Sequence, residues 1–348
     1  MMRVGFDGTV FGLQRVGGVS NYAWEMLRRF AAMADVQTVL SLPVRVVSDR
    51  APSIAELKVE KRRQFLPLAI ALRLPIRLVG DVVFSPYYRV PVTPRSRYVI
   101  TLHDLIHERY RTGLPRMVHS FLKRQACLRA HVIICVSNNT RADLLSTYPE
   151  IDPERALVIP HGVDHQTFLG RDTARSDLHD AVLFVGQRRG YKRFDLAVAA
   201  VALTNKRLAV VGEPPDQDDQ KLLDTQLQNR WVALGRVSPR ELSDLYAGSF
   251  AFIYPSDYEG FGLPILEAQA SGCPVVAANR SSCPEVGGQG ALYAESQTAE
   301  AYAARLRELE NPTKRERHVA QGLANAAKYD WDKTFDLTMN AFRRAMTA

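Results

Sequence analysis

Ser249–Ala277 reads SFAFIYPSDYEGFGLPILEAQASGCPVVA, and this stretch decides the fold. Ala251–Tyr254 is a short apolar run of strand length, and Pro274–Ala277 is a second. Between them lies a glycine-bearing loop, Ser256–Gly262. Pro264 has no N–H to lose in a helix's first turn, and Ile265–Ser271 continues that helix. Strand, loop, helix and strand in so short a span make a βαβ unit, whose two strands run parallel. Glu259 stands in the loop ahead of the helix and Glu267 about one turn inside it. Helical spacing does not relate the two; they flank the helix N-terminus. Gly260 and Gly262 let a ligand come close to the backbone, and the helix end favours an anion there. On the residues alone, a surface role for Glu267 and a first-turn dipole role for Glu259 stay open.

The same alternation runs in both directions from this unit. Strands are expected at Arg3–Phe6, Val44–Val47, Val82–Ser85, Tyr98–Leu102, His131–Val136 and Ala156–Ile159. A second set is expected at Ala181–Val185, Arg207–Val211, Trp231–Leu234, Ala251–Tyr254, Pro274–Ala277 and Ala291–Tyr293. Helical patterns separate most of them. The first is Val19–Met33, where Val19, Tyr22, Ala23, Met26, Leu27 and Phe30 share one face. The class is α/β, with two parallel-sheet domains. The seam falls near Ile159–Phe168, and Trp331–Met346 is a closing amphipathic helix.

Three further junctions could carry chemistry. In FDGTVFGLQRVGGVSNY, Gly17 and Gly18 directly precede a helix, but the stretch is neither a P-loop nor GxGxxG. In FVGQRRGYKRFDL, a strand ends at Gly186, and Arg188, Arg189, Lys192 and Arg193 follow. Cations clustered at the carboxyl end of a parallel strand suit a polyanion. Thr101–Leu105, TLHDL, ends a strand with His103, which could act on a hydroxyl or hydrogen-bond a sugar. The DQDD run, Asp216–Asp219, reads as a solvent-exposed loop with no strand behind it.

A chain of 348 residues exceeds one ordinary core, and 46% hydrophobic with 24% charged residues suits a soluble globular protein. Cys127, Cys135, Cys273 and Cys283 lack CxxC spacing and sit in apolar runs, so reduced thiols of a cytoplasmic protein are expected. The start, MMRVGFDGTVFG, lacks the apolar stretch of an export leader. Phe65–Phe84, the most apolar window, is broken by Arg73, Pro75, Arg77 and Asp81, so no membrane span is expected. Residues 1–170 carry 23 Lys and Arg against 14 Asp and Glu; the remainder carries 22 against 23. A basic first half suggests an anionic partner. Nucleic acid is not expected, because no recognition module or aromatic-interleaved basic stripe is present. KRRQFLPLAIALRLPIRLVG, Lys61–Gly80, mixes cations with long apolar residues and suggests peripheral contact with an anionic membrane.

Taken together these blocks resemble glycosyltransferase family 4, retaining enzymes of the GT-B fold. EGFGLPILE looks like the E-x7-E motif of that family, and AQASGCPVVAANRSSCPEV continues its pattern. VGGVSNY, TLHDL, VSNNTRADL, IPHGVD, VGQRRGYKRFDL and LGRVSPRELSDLY look like its other blocks in order, over essentially the whole chain. The resemblance implies two Rossmann-like domains flanking a cleft: residues 1–165 for the acceptor, 166–330 for the sugar nucleotide, and 331–348 returning to the first. It implies that Glu267 accepts hydrogen bonds from the ribose hydroxyls and that Glu259 contacts the transferred sugar. Gly260, Phe261, Gly262 and Leu263 would lie beside sugar and phosphate. Arg188 and Lys192 would grip the diphosphate next to Gly186. Gly17 and Gly18 would approach from the other domain, His103 would touch the sugar near the reacting carbon, and Arg236 and Val237 would border the base. Gln187 stands where the family often has arginine, so either Arg188 or Arg189 takes that work. The implied donor is a nucleoside-diphosphate sugar, GDP-mannose or a dTDP- or UDP-sugar. The implied acceptor is a glycan or lipid-linked saccharide, and neither metal nor cofactor is called for. A GT-B epimerase and a non-catalytic sugar-nucleotide-binding protein are the alternatives.

Overall fold

Parallel strands need crossovers that cover both faces of the sheet, and the Val- and Ile-rich runs of this chain suit burial on both sides. The computed structural model describes residues 1–15, 17–63, 78–89, 95–110, 113–169, 176–188 and 190–347. They form two units, Met1–His161 with Trp331–Ala348, and Gly162–Asp330. The division thus falls between His161 and Gly162, where the sequence reading placed it after 165.

The first unit holds β1 (Met2–Asp7), β2 (Val36–Leu42), β3 (Glu60–Arg63), β4 (Val82–Ser85), β5 (Arg97–Leu102), β6 (Val132–Cys135) and β7 (Ala156–Val158). Their order is β3-β2-β1-β4-β5-β6-β7. The second holds β8 (Ala181–Val185), β9 (Arg207–Val211), β10 (Trp231–Gly235), β11 (Ala251–Tyr254), β12 (Val275–Ala278) and β13 (Ala291–Ala294), ordered β10-β9-β8-β11-β12-β13. All pairings among the described strands are parallel. In each sheet the chain winds outward one way and then the other, so the order reverses between β1 and β4 and between β8 and β11. Loops leaving the carboxyl ends of strands at such a reversal splay apart and leave a crevice for ligands.

The Gly18–Ala32 helix packs its apolar face, Tyr22, Met26, Leu27 and Phe30, into the core of the first unit. The Trp331–Thr347 helix belongs to that core. Phe30 stacks on Phe342 at 5.3 Å and meets Phe335 edge-on at 4.9 Å. Arg29 ties the two helices through Asp332 at 2.6 Å. Burial of each such ring contributes about 1.5–3 kcal/mol, so this last helix is part of the unit rather than an appendage. The four cysteines are free and buried.

Two strand expectations need correction. The second strand is Val36–Leu42, not Val44–Val47. Pro43 ends it, and Val47 turns its N–H to the Phe11 carbonyl at 2.9 Å instead of joining the sheet. The charged EKRR strand β3 was not foreseen. It opens the Lys61–Gly80 stretch: Lys61 hydrogen-bonds to the Ala55 carbonyl and Arg62 pairs with Glu60. Residues 64–77, most of the proposed membrane contact, lie outside the described residues. No described helix is long and apolar enough to cross a membrane.

One buried ion pair has a measurable consequence. Lys123, 1% exposed, donates to Glu108 at 2.8 Å and to the Asp104 carbonyl at 3.0 Å. Lys123→Ala leaves the Glu108 carboxylate buried without its cation, and the expected cost is about 3 kcal/mol of stability in chemical denaturation. A loss below about 1 kcal/mol contradicts this.

Candidate active site

β8 and β11 are neighbours at the reversal of the second sheet, with Val182 beside Ala251 and Leu183 beside Phe252. The loop after β8 carries the cations, and the loop after β11 carries Glu259. The topology thus brings together stretches some 67 residues apart: Lys192 Nζ donates to Glu259 Oε1 at 2.7 Å and to the Tyr254 hydroxyl at 2.9 Å. Both charged side chains are largely covered, at 15% and 10% exposure. Burial and the nearby Glu259 carboxylate hold the Tyr254 phenol well above its ordinary range, so it stays protonated. Arg193 is turned toward Asp195 and Asp257. Arg189 lies outside the described residues.

The Glu259 loop is held from beneath. Its N–H donates to Ser281 Oγ at 2.9 Å, and the Ser282 hydroxyl reaches the Phe261 carbonyl at 2.7 Å and lies 3.0 Å from that of Glu259. Gly262 caps the Leu263–Ala270 helix in the left-handed region, φ 101°, a conformation that a side chain disfavours. The helix therefore begins directly after the Glu259 loop, which holds Gly260 and Phe261, with Leu263 as its first residue. Gln269 inside the helix bonds the Gly287 carbonyl and receives Asn325, a buried network that fixes the helix against its neighbours.

Glu267 sits half-buried on that helix, and no hydrogen bond or ion pair reaches its carboxylate among the described residues. Burial alone pushes its pKa up to about 7. The buried Tyr246 hydroxyl, whose pKa Glu267 helps raise, likewise has no hydrogen-bond partner among the described residues. A carboxylate kept costly and unsatisfied in the folded protein is what a ligand donating hydroxyl hydrogens would relieve.

Arg188 is engaged by groups of its own unit. Its Nε donates to Asp219 Oδ2 at 2.7 Å, and its two terminal nitrogens donate to the carbonyls of Glu213 and Pro214 at 2.5 and 2.7 Å. Asp219 belongs to the DQDD run, of which Asp216, Gln217 and Asp218 are exposed as expected while Asp219 is buried, and the run starts a helix rather than a loop. It comes after β9 and the 212–215 loop and caps the Gln217–Leu227 helix with a reciprocal Asp216–Asp219 box. Arg236 is exposed after β10 and pairs with Glu213; Val237 follows it half-buried.

In the first unit, Gly17 is extended and Gly18 begins the helix, whose N-terminus Gln14 caps from outside by accepting from Ser20 N–H. A Cβ added at Gly18, Gly186 or Gly190 would meet nothing within 4 Å. His103 ends β5 against the ring of Tyr22 at 5.2 Å and that of His161 at 5.3 Å. The Pro86 carbonyl, 3.0 Å from Nε2, can only accept, so Nε2 carries the proton and Nδ1 presents a lone pair. Burial pushes the His103 pKa down to about 4. Its NMR titration is therefore expected to show a neutral ring from pH 5.5 upward; an inflection near 6.5 contradicts it.

Sequence reasoning missed Tyr254, Ser281, Ser282, Tyr246 and Asp219. For Asp219 a signal existed: an aspartate three residues after Asp216, just ahead of an apolar-periodic stretch, is a capping pattern. The others depend on contacts across the fold.

A family model for Glycosyltransferase Family 4 matches residues 16–167, and one for glycosyl transferases group 1 matches residues 168–324. The O-antigen chain mannosyltransferase B of Escherichia coli is 41% identical over 125 residues, 35% of this chain and 33% of that one. The O-antigen chain mannosyltransferase RfbU of Salmonella typhimurium is 24% identical over 95% of this chain and 98% of that one. Anabaena HepE, solved with UDP and glucose, superposes with a TM-score of 0.76 at 17% identity, over 98% of this chain and 99% of that one. With both halves matched in order and the two-sheet fold in place, the chain belongs to glycosyltransferase family 4, sugar-transferring enzymes of the GT-B fold.

Proposed function

We propose that the chain is a hexosyltransferase. It moves a hexosyl group, with retention, from a nucleoside-diphosphate sugar to a hydroxyl of a glycan or lipid-linked saccharide in bacterial polysaccharide assembly. GDP-mannose is the first donor to test, since two relatives are named as O-antigen mannosyltransferases; a UDP- or dTDP-sugar is the second choice. The observation that carries the reading is the Lys192–Glu259 pair at the β8–β11 reversal, with Glu267, half-buried and without a partner among the described residues, on the helix that follows the Glu259 loop.

Each residue type has a physical task. Breaking the sugar–phosphate bond builds negative charge on the departing diphosphate. Lys192 and the 263–270 helix N-terminus stabilise that charge in a partly desolvated site, without a metal or cofactor. Glu259 accepts from hydroxyls of the transferred sugar and keeps Lys192 aimed between donor and carboxylate. Glu267 accepts from the ribose, and the β10 loop at Arg236 and Val237 borders the base. Through Nδ1, His103 accepts from a sugar hydroxyl. Peripheral contact of the basic first half with anionic lipid belongs to the same proposal, tested by sedimentation with anionic vesicles at low salt.

A thermal-shift panel of GDP, UDP and dTDP with their sugars tests the donor. A ligand at a hundred times its Kd stabilises the protein by about 2.7 kcal/mol. Stabilisation by none of them at millimolar concentration contradicts the reading.

A further inference from the structure

The carboxyl ends of β8, β9 and β10 are laced edge to edge. Gly186 N–H donates to the Val211 carbonyl at 3.1 Å, and Gly212 N–H to the Gly235 carbonyl at 2.9 Å. The backbones are so close that a Cβ on Gly212, whose φ is +139°, would lie 3.0 Å from the Gly186 carbonyl oxygen. Arg188 adds the cross-stitch. It leaves the β8 loop, passes near the face of Phe194 at 6.0 Å, and forks onto the Glu213 and Pro214 carbonyls of the β9 loop while holding Asp219. Its side chain is 6% exposed and that of Asp219 is 11% exposed. Asp219 also accepts from the Asp216 N–H, so the arginine grips the cap of the 217–227 helix. A planar guanidinium is suited to holding a carboxylate and two carbonyls together, whereas an ammonium cannot reproduce that fork.

We infer that Arg188 is a positioning residue, which acts through Asp219 and the 213–214 carbonyls to fix the β9 loop against the glycine loop of β8, and that it does not contact the diphosphate. Of the described cations after β8, Lys192 is the one directed at Glu259. The inference rests on the donor site proposed above, and it divides the work of the VGQRRGYKRF stretch: Lys192 faces the leaving group, and Arg188 shapes the wall beside it. That wall continues to β10 through the Arg236–Glu213 pair, so disturbing it should loosen the nucleoside end of the donor rather than its phosphates.

Two measurements test this. The first needs no ligand. In the ligand-free full chain, Arg188→Ala and Asp219→Asn are each expected to speed amide exchange across residues 212–220 by about tenfold, with distant strands such as β12 unchanged. Unchanged protection in both variants overturns the brace, whatever the protein binds. The second uses the nucleoside diphosphate that the wild type binds best among GDP, UDP and dTDP, together with its nucleoside monophosphate. Arg188→Ala is expected to weaken both by the same factor, about tenfold. Asp219→Asn should match it, the double variant should lose little more, and Arg188→Lys should not rescue. A loss confined to the diphosphate, rescued by Arg188→Lys and absent in Asp219→Asn, overturns the inference in favour of a direct phosphate contact. If the wild type binds none of the nucleotides while the exchange result holds, the donor reading fails and the brace stands.

Discussion

Glu267→Gln is expected to raise the melting temperature of the ligand-free protein at pH 8 and, in the same molecule, to weaken nucleoside-diphosphate binding. The two effects have one cause. Glu267 lies half-buried without a described partner, and burial lifts its pKa to about 7 from an ordinary 4.5. Between those values the folded chain holds a proton that the unfolded chain has released. Stability therefore falls as pH rises through that window, and the penalty is complete above pH 7. Glutamine removes the charge; a rise from 4.5 to about 7 corresponds to about 3.4 kcal/mol in a fully covered site, which part exposure to water brings down to about 2 kcal/mol, a shift of several degrees. The difference between variant and wild type should vanish near pH 4.5 and grow to a plateau above pH 7. On the binding side, losing a charged acceptor for hydroxyl donors costs about tenfold or more in Kd. A surface glutamate would show neither effect. Stability gained without affinity lost would leave Glu267 merely strained and remove its ribose role.

The second large effect belongs to Lys192. Lys192→Ala is expected to lower kcat/KM roughly a hundredfold, about 3 kcal/mol of barrier, mostly in kcat. The ammonium is 2.7 Å from Glu259 and largely covered, so its removal takes charge stabilisation from the leaving group and also leaves a buried carboxylate unpaired. Lys192→Arg keeps the charge but not the compact fit between Glu259 and Tyr254, and partial activity is expected. Steady-state kinetics with saturating acceptor decide it; a loss under threefold contradicts the assignment.

The parts of this site that were legible in the sequence are those set by local pattern. Ala251–Tyr254, the glycine loop and the proline-led helix follow from apolar runs and turn chemistry, and they place Glu259 and Glu267 on different elements without any contact being known. The strand order could not be read, yet it is what puts Lys192 beside Glu259. β3 was hidden because EKRR carries no apolar signal; among the described strands it pairs only with β2, at one end of the sheet, where charged residues are tolerated and discourage further pairing. Val44–Val47 misled because an apolar run after Pro43 looks like a strand whether or not a neighbour is available to pair with it. Arg188 and Lys192 read alike in the sequence, since both follow a strand in a basic loop, and nothing there tells of the contact between Arg188 and Asp219. That aspartate lies 31 positions on, beyond another strand, and only the folded chain brings the two together.

The proposed reaction transfers a sugar from a nucleotide to a hydroxyl. The direct measurement is NMR of the purified protein with GDP-mannose, or whichever sugar nucleotide the thermal panel selects, and a lipid-linked saccharide acceptor. Phosphorus signals follow release of the nucleoside diphosphate, and the anomeric proton follows the product. Release is expected to depend on acceptor, to match the appearance of a glycoside with the donor's anomeric configuration mole for mole, and to drop about a hundredfold in Lys192→Ala. Release without acceptor, an inverted product, or a rate indifferent to Lys192 would contradict it.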